Sequence, residues 1–257
     1  MSTIETTKSK KFFNRLLPMI KLDFYRLLHT PIFYIMVLIS ALIPALVMTM
    51  VGANEGVDAQ TYTNVWQVFE GLSGNTAGLM DFANMANINM VYIFAALMLS
   101  IFVSHDYSSG FVKNIFTVHA KKSDYVVSKS LAGIFGGVCM ILSYFLVTII
   151  IGAITGKSFD LGVAGIGGLF MCLFSKIALM GLFVPLYLSM AVIFKQKLWV
   201  TIIATFAVGI LFYPVASLAV PLDATFLTLL MCVLAAGIAF VGIGSVSSLI
   251  LKKRDLT

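Results

Sequence analysis

IFYIMVLISALIPALVMTMVG, residues 32–52, carries no charged side chain along its whole length. A helix of this length covers the ~30 Å hydrocarbon core of a bilayer. Working outward, further apolar runs lie at Asn89–Ser104, Leu131–Ile154, within Leu161–Phe194, at Leu198–Val220 and at Ala224–Leu251. The second run is short, so its span is expected to start near Met85. The fourth is too long for one straight span. Its Gly-rich first part (Gly162, Gly165, Gly167, Gly168) reads as an interfacial or re-entrant segment before the membrane helix. The expected spans are 32–52, 85–104, 131–154, 172–194, 198–220 and 224–251, between an N-terminal segment 1–31 and a tail 252–257. The fold class is all-α: a polytopic membrane protein of six transmembrane helices.

Composition agrees with that reading. Of the 257 residues, 60% are hydrophobic and 11% charged, against about 45–50% and 25% in soluble domains. Mean hydropathy is +1.01. A soluble chain of this size has no way to cover so much apolar surface, and a disordered one is polar and charged. Cys139, Cys172 and Cys232 all lie inside apolar runs, without the pairing or short spacing that disulfide frameworks and zinc sites need. They read as small core residues. The first span is too long for a signal-peptide core, and about 30 residues precede it, so cleavage is not expected.

Charge sets the orientation. Residues 1–31, the loop after the second span, the loop after the fourth and the tail together hold 15 of the 17 Lys and Arg residues. The other side has Lys157 with Glu55, Asp58, Glu70, Asp81, Asp160 and Asp223. Both termini are therefore expected in the cytoplasm. The net charge of +6 is topology and attraction to lipid headgroups, and no nucleic-acid partner is expected.

Two basic-side segments are amphipathic. Phe13, Leu16, Leu17, Ile20, Phe24, Leu27 and Leu28 share one helical face. Such a helix, beginning near Pro18, is expected to lie on the inner leaflet, apolar face down; the plainer reading is an extension of the first span. Pro31 marks a break before the membrane. In the loop from His105 to Lys129, the apolar residues Phe111, Val112, Ile115, Phe116 and Val118 alternate with Lys113, Asn114 and His119, after a turn at Gly110. A short helix of this kind either lies on lipid or fits a groove on a partner. On the opposite side, Tyr62, Val65, Trp66 and Phe69 are helically spaced, as an aromatic anchor at the headgroups or as packing against neighbouring segments.

Catalytic and coupling groups are scarce. Gly152-Ala-Ile-Thr-Gly156-Lys157-Ser158 imitates a phosphate loop with one residue too few between the glycines and no strand before it. His29, His105 and His119 all fall in the basic-side segments. No apolar run contains Asp or Glu, the usual proton carriers inside membranes. A sodium site can use backbone carbonyls alone, which leaves that route open; otherwise energy for uphill transport is expected from another polypeptide. Lys176 is the charge inside a span, 18 residues before Phe194 and so about 27 Å from that end. It reads as a side chain snorkelling to the outer interface, or else as a substrate contact or an ion-pair partner of Glu70 or Asp223. Pro44, Pro185 and Pro214 are candidate kinks. Gly133 with Gly137, and Gly152 with Gly156, have the spacing that lets helices approach closely.

Three segments carry a family resemblance. Lys21-Leu-Asp-Phe-Tyr-Arg26-Leu-Leu-His-Thr-Pro31 leads into the first span; Asp106-Tyr-Ser-Ser-Gly110-Phe-Val-Lys113-Asn114-Ile precedes Lys121, Ser123, Tyr125, Ser128 and Lys129; and Leu251-Lys-Lys-Arg254-Asp255-Leu256 closes the chain. Together with span number and orientation, this pattern resembles the permease subunits of type-2 ABC transporters, with Asp106 where the family usually has Glu and Ala120 where it often has Pro. The resemblance implies a bacterial plasma-membrane permease that pairs with a second permease chain, identical or different, and with cytoplasmic ABC ATPase subunits. It implies that Asp106, Gly110, Phe111, Val112, Lys113, Asn114, Ile115 and Phe116 form an ATPase-docking coupling helix. It also implies that this chain is no enzyme and binds no cofactor itself, ATP and Mg²⁺ sitting on the partner. The cargo implied is a peptide, bacteriocin, antibiotic or lipid-like amphiphile, with export as self-immunity. An autonomous carrier or channel is the alternative.

Overall fold

The computed structural model describes residues 2–53, 64–70, 86–117, 121–162, 164–194 and 198–253. Tyr62, Met85, Val118 and His119, and the side chain of Phe13, lie outside the described residues. The described helices are α1 (Ser2–Leu28), α2 (Pro31–Ala53), α3 (Val65–Glu70), α4 (Met90–Ser108), α5 (Phe111–Thr117), α6 (Lys122–Ile154), α7 (Gly165–Phe194), α8 (Leu198–Ala219) and α9 (Phe226–Lys253). Six of them, α2, α4, α6, α7, α8 and α9, are long and apolar enough to cross a membrane. The chain is a multi-pass integral membrane protein.

Helix bounds depart most from the sequence reading in four helices. Residues 86–89 are a buried turn, so α4 starts at Met90 and not near Met85. Asn87 Oδ1 accepts the Asn89 N–H (2.9 Å), and the Ile88 N–H donates to the Phe69 carbonyl (3.0 Å). At its other end α4 continues to Ser108. Helix α6 starts at Lys122, giving 33 residues or about 50 Å. Its first turns therefore stand beyond a ~30 Å hydrocarbon core. Helix α7 is one continuous helix, so the re-entrant segment does not form. The break comes earlier, where Gly162 and Gly165 adopt φ of +53° and +60°, a left-handed turn that glycine makes without steric cost. Helix α1 runs through Pro18 instead of beginning there. Pro18 and Asn14 are both exposed, so the carbonyl that loses its intrahelical donor is open to water or headgroups.

Helices α4 and α7 are the most enclosed spans and α9 the least. Helix α7 packs chiefly on α9, α2 on α6, and α4 on α8, α7 and α6. Glycines on α6 let these helices approach closely. A Cβ at Gly133 would stand 2.9 Å from Val184 Cγ1 and 3.1 Å from Leu99 Cδ1, and one at Gly137 would stand 2.6 Å from Met180 Sδ. Gly152 is filled in the same way by Val65, which is its role in the imitation phosphate loop. At the acidic end, α3 is held down from several directions. Tyr144 donates from its hydroxyl to the carbonyls of Val68 (3.1 Å) and Ala86 (3.0 Å), and Trp66 Nε1 donates to the Phe159 carbonyl (3.2 Å). Trp66 and Phe69 are buried against Phe145 and Tyr144. They pack on neighbouring segments and do not stand free at the headgroups.

Val184 is β-branched and stiff at χ1, so it has little room to give way. Gly133→Leu is expected to destabilise the bundle by about 1–3 kcal/mol through overpacking. The check is the thermal unfolding midpoint of the purified protein in mild detergent, with Gly237→Leu, at a site with no atom near the added Cβ, as the near-neutral control.

Candidate functional site

The basic end of the bundle gathers α1, the end of α4, α5 and the start of α6 around buried charges. In α1 the residues Leu16, Met19, Asp23 and Leu27 are buried, with Ile20 and Phe24 partly so, at helical spacing. This stripe faces α6 and not the lipid. The opposite edge, with Leu17 at 69% and Tyr25 at 60% exposed, is the surface left for headgroups. Thus Leu16, Ile20, Phe24 and Leu27 seat the helix on its own chain, whereas Leu17, assigned to the same face from sequence, points away.

Asp23 sits inside that apolar stripe and has ionic company. Lys129 Nζ lies 2.7 Å from Asp23 Oδ1 and 2.6 Å from Asp106 Oδ2, and Arg26 Nη2 lies 2.7 Å from Asp106 Oδ1. Ser128 Oγ donates to Asp23 Oδ2 (2.5 Å) and the Tyr125 hydroxyl to Asp106 Oδ2 (3.1 Å). Asp23, Asp106 and Lys129 are fully buried. The cluster balances two carboxylates against two cations. That balance matters, because a buried charge without a partner costs several kcal/mol. A second pair, Arg15 Nε to Asp124 Oδ2 at 3.1 Å, ties α1 to the first turn of α6 nearer the surface.

The short helix α5 hangs from this cluster. Gly110 turns the chain after α4 with φ +71°. The Phe111 ring then lies under the Arg26 guanidinium, 3.6 Å from Cζ to the ring centroid, a close cation–π contact. Val112 is buried. Phe116 meets Tyr125 edge to face with centroids 5.8 Å apart, and Ile115 packs on the core. Of the proposed docking residues, the apolar members Phe111, Val112, Ile115 and Phe116 thus anchor α5 to this chain. Lys113 and Asn114, with Thr117, are exposed. Asp106 is a buried clamp residue with no outward face. Sequence reasoning missed Asp23, Arg26 and Lys129 as site residues. The available signal was a carboxylate on the apolar face of α1, three residues after Ile20 and four before Leu27.

Lys176 lies on the other half of the molecule. It is fully buried, so it does not snorkel to the interface. Its ammonium donates to Asn89 Oδ1 (2.9 Å) and to the Val220 carbonyl (3.2 Å), and its own carbonyl accepts the Tyr92 hydroxyl (2.9 Å). The reason is helix length. Helix α7 continues past the N-terminus of α4 and the C-terminus of α8, which place a side-chain amide and a post-helical carbonyl level with residue 176. A cation beside the C-terminus of a helix also complements its dipole. Asp223, one of the ion-pair partners expected from sequence, is exposed. Among the described residues no three His, Cys, Asp or Glu side chains gather to hold a metal ion.

Lys129→Met leaves the cluster with two carboxylates and one cation. It is expected to cost about 3–5 kcal/mol, the penalty for breaking a buried pair from one side. Adding Asp23→Leu restores neutrality and is expected to recover more than half of that loss. Thermal midpoints of the single and double variants check both statements.

The family model described as ABC-2 family transporter protein matches residues 19–212, a range containing the whole clamp, α5 and Lys176. No curated protein and no solved structure matches the chain.

Proposed function

The chain belongs to the ABC-2 transporter family as a membrane component, and on that premise we propose that it is the permease of an exporter driven by separate cytoplasmic ATPase subunits. The observation that carries the reading is the seating of α5. A seven-residue helix at the basic end is held by its apolar side to the Asp23–Lys129–Asp106–Arg26 clamp, with Lys113, Asn114 and Thr117 turned outward. A helix too short to be stable alone is thereby made a rigid projection. The positive-inside rule puts that projection in the cytoplasm. In this reading Lys113, Asn114 and Thr117 touch the ATPase, and Phe111, Val112, Ile115 and Phe116 position the helix.

Force on α5 from an ATPase would pass through Phe111 to Arg26, and through Asp106 to Lys129 and Asp23. Helix α5, the second half of α1 and the start of α6 then move together. The translocation path would form between this chain and a second permease, identical or different, in the plasma membrane of a bacterium. ATP and Mg²⁺ would bind the partner ATPase and no cofactor this chain. The apolar bundle favours an amphipathic cargo, a peptide, bacteriocin, antibiotic or lipid, whose export would protect the cell that makes it.

The test is to tag the chain in its native cells, solubilise gently and identify what is retained. The expected partner is a stoichiometric soluble protein bearing a phosphate loop, with ATPase activity in the complex. Lys113→Glu with Asn114→Asp is expected to release it at least tenfold while moving permease stability by less than about 0.5 kcal/mol, as exposed substitutions do. A chain recovered alone under several mild detergents, yet passing solute down an ion gradient in liposomes, would instead support an autonomous carrier.

A further inference from the structure

The carboxylates of the basic end are spent inside the protein. Among the side chains described there, Asp23, Asp106 and Asp124 are all buried, and Lys129, Arg26 and Arg15 balance them. The lysines left over from that balance are Lys21, Lys113, Lys121 and Lys122. Three of these belong to α5 and its link to α6. Lys113 and Lys121 are exposed, and Lys122 Nζ lies 6.0 Å from the centroid of the Phe116 ring. From Tyr107 to Ser123 the sequence contains no Asp or Glu. Helix α5 therefore presents positive charge to whatever approaches it.

Anionic lipid headgroups are one source of opposite charge, and two features stand against them. A helix that lies on a membrane needs an exposed apolar face, and the apolar side chains of α5 are turned onto Arg26, Tyr125 and the core. Height is the second feature. The exposed large apolar side chains of α6, Leu142, Leu146, Ile150 and Ile154, all lie in its second half. Counting the ~20 residues that cross a hydrocarbon core back from Ile154 reaches Phe135. Helix α2 gives nearly the same level. Ser143 Oγ donates to the Val37 carbonyl (3.4 Å), which sets Pro31, the first residue of α2, beside Gly137. From Phe135 to Lys122 the helix runs about 20 Å further along its axis. That exceeds a headgroup layer of about 7 Å plus a Debye length of about 8 Å. The lysines beside α5 stand out of reach of lipid charge and within reach of a protein.

We propose that α5 is received by an acidic groove on the ATPase subunit, whose Asp and Glu side chains meet Lys113, Lys121 and Lys122. This rests on the docking reading of α5 and adds the chemistry of the partner. The permease holds its own carboxylates in the clamp, where they cannot compete for these lysines, and the opposing charge comes from the ATPase. Exposed charges at the edge of an interface set the rate of docking and reject partners of the wrong sign. The lysines of α5 thus select the ATPase, whereas the apolar residues of α5 hold the helix in place.

The test uses the full chain in nanodiscs of phosphatidylcholine alone, so that no anionic lipid contributes, with the phosphate-loop ATPase that co-purifies with it. Its affinity is expected to fall on the order of tenfold from low to high KCl. Lys113→Gln with Lys121→Gln is expected to weaken binding about fivefold at low salt, as two exposed pairs do, and to leave the high-salt affinity unchanged. Lys113→Arg with Lys121→Arg keeps the charge and is expected to keep the affinity. Lys157→Gln, which removes a charge from the opposite end, is expected to have no effect. Thermal midpoints identify the variants that still fold. A zero-length carbodiimide, which joins an amine to a carboxylate in contact with it, is expected to link Lys113 or Lys121 to an Asp or Glu of the ATPase. An ATPase that binds equally at all salt concentrations and is linked to no lysine of this segment would overturn the acidic groove and leave the docking of α5 standing. Recovery of no ATPase would overturn both. Binding that appears only when phosphatidylglycerol is added would assign the lysines to lipid and overturn the proposal.

Discussion

A charge removed from water must find an opposite charge or hydrogen-bonding partners within reach, and that constraint organises the basic end of this protein. Lys129 is drawn between Asp23 and Asp106, and Arg26 completes the balance. Asp23 and Arg26 come from α1, Asp106 from α4 and Lys129 from α6, so the four can neutralise one another only when these three helices stand in one arrangement. Apolar packing alone would tolerate small slides between these helices. The ionic cluster does not, because a slide of one helical turn would leave a carboxylate or an ammonium buried and alone.

The same cluster explains why a helix as short as α5 has a fixed pose. Arg26 serves Asp106 through one nitrogen and covers the Phe111 ring with its face. That double use binds the turn after α4 to α1. The apolar residues of α5 are consumed by this seating, and its polar residues are left for whatever approaches from outside. Lys176 applies the same logic toward the acidic end. There, a buried ammonium is served by Asn89 and by the carbonyl of Val220 beyond the end of α8. It joins three helices whose ends would otherwise be held by apolar contact.

Much of the architecture was legible from the chain alone. The apolar run at 32–52 and its five successors correspond to the six helices able to cross a membrane, and the family match over residues 19–212 agrees with the resemblance read from three short motifs. Helix ends were less legible. The start of α6 at Lys122 was hidden because polar residues precede its apolar run, and the continuity of α7 was hidden because glycine suggests a break wherever it clusters. The direction of amphipathic faces was harder still. Periodicity identified a stripe on α1 and another on α5 without saying whether lipid, a partner or this chain covers it.

Sequence by itself determined the solvent, the number of crossings and the side on which positive charge collects. These depend on composition summed over about 20 residues at a time. Only the tertiary structure decided that Asp23, Arg26, Asp106 and Lys129 form one neutral cluster, that Lys176 is enclosed instead of snorkelling, and that the apolar face of α5 turns inward. The physical reason is range. Hydrophobic partition is a property of each segment alone, whereas an ion pair such as Asp23–Lys129 joins residues far apart in the chain through contacts below 3 Å, and no local pattern specifies which distant group will arrive.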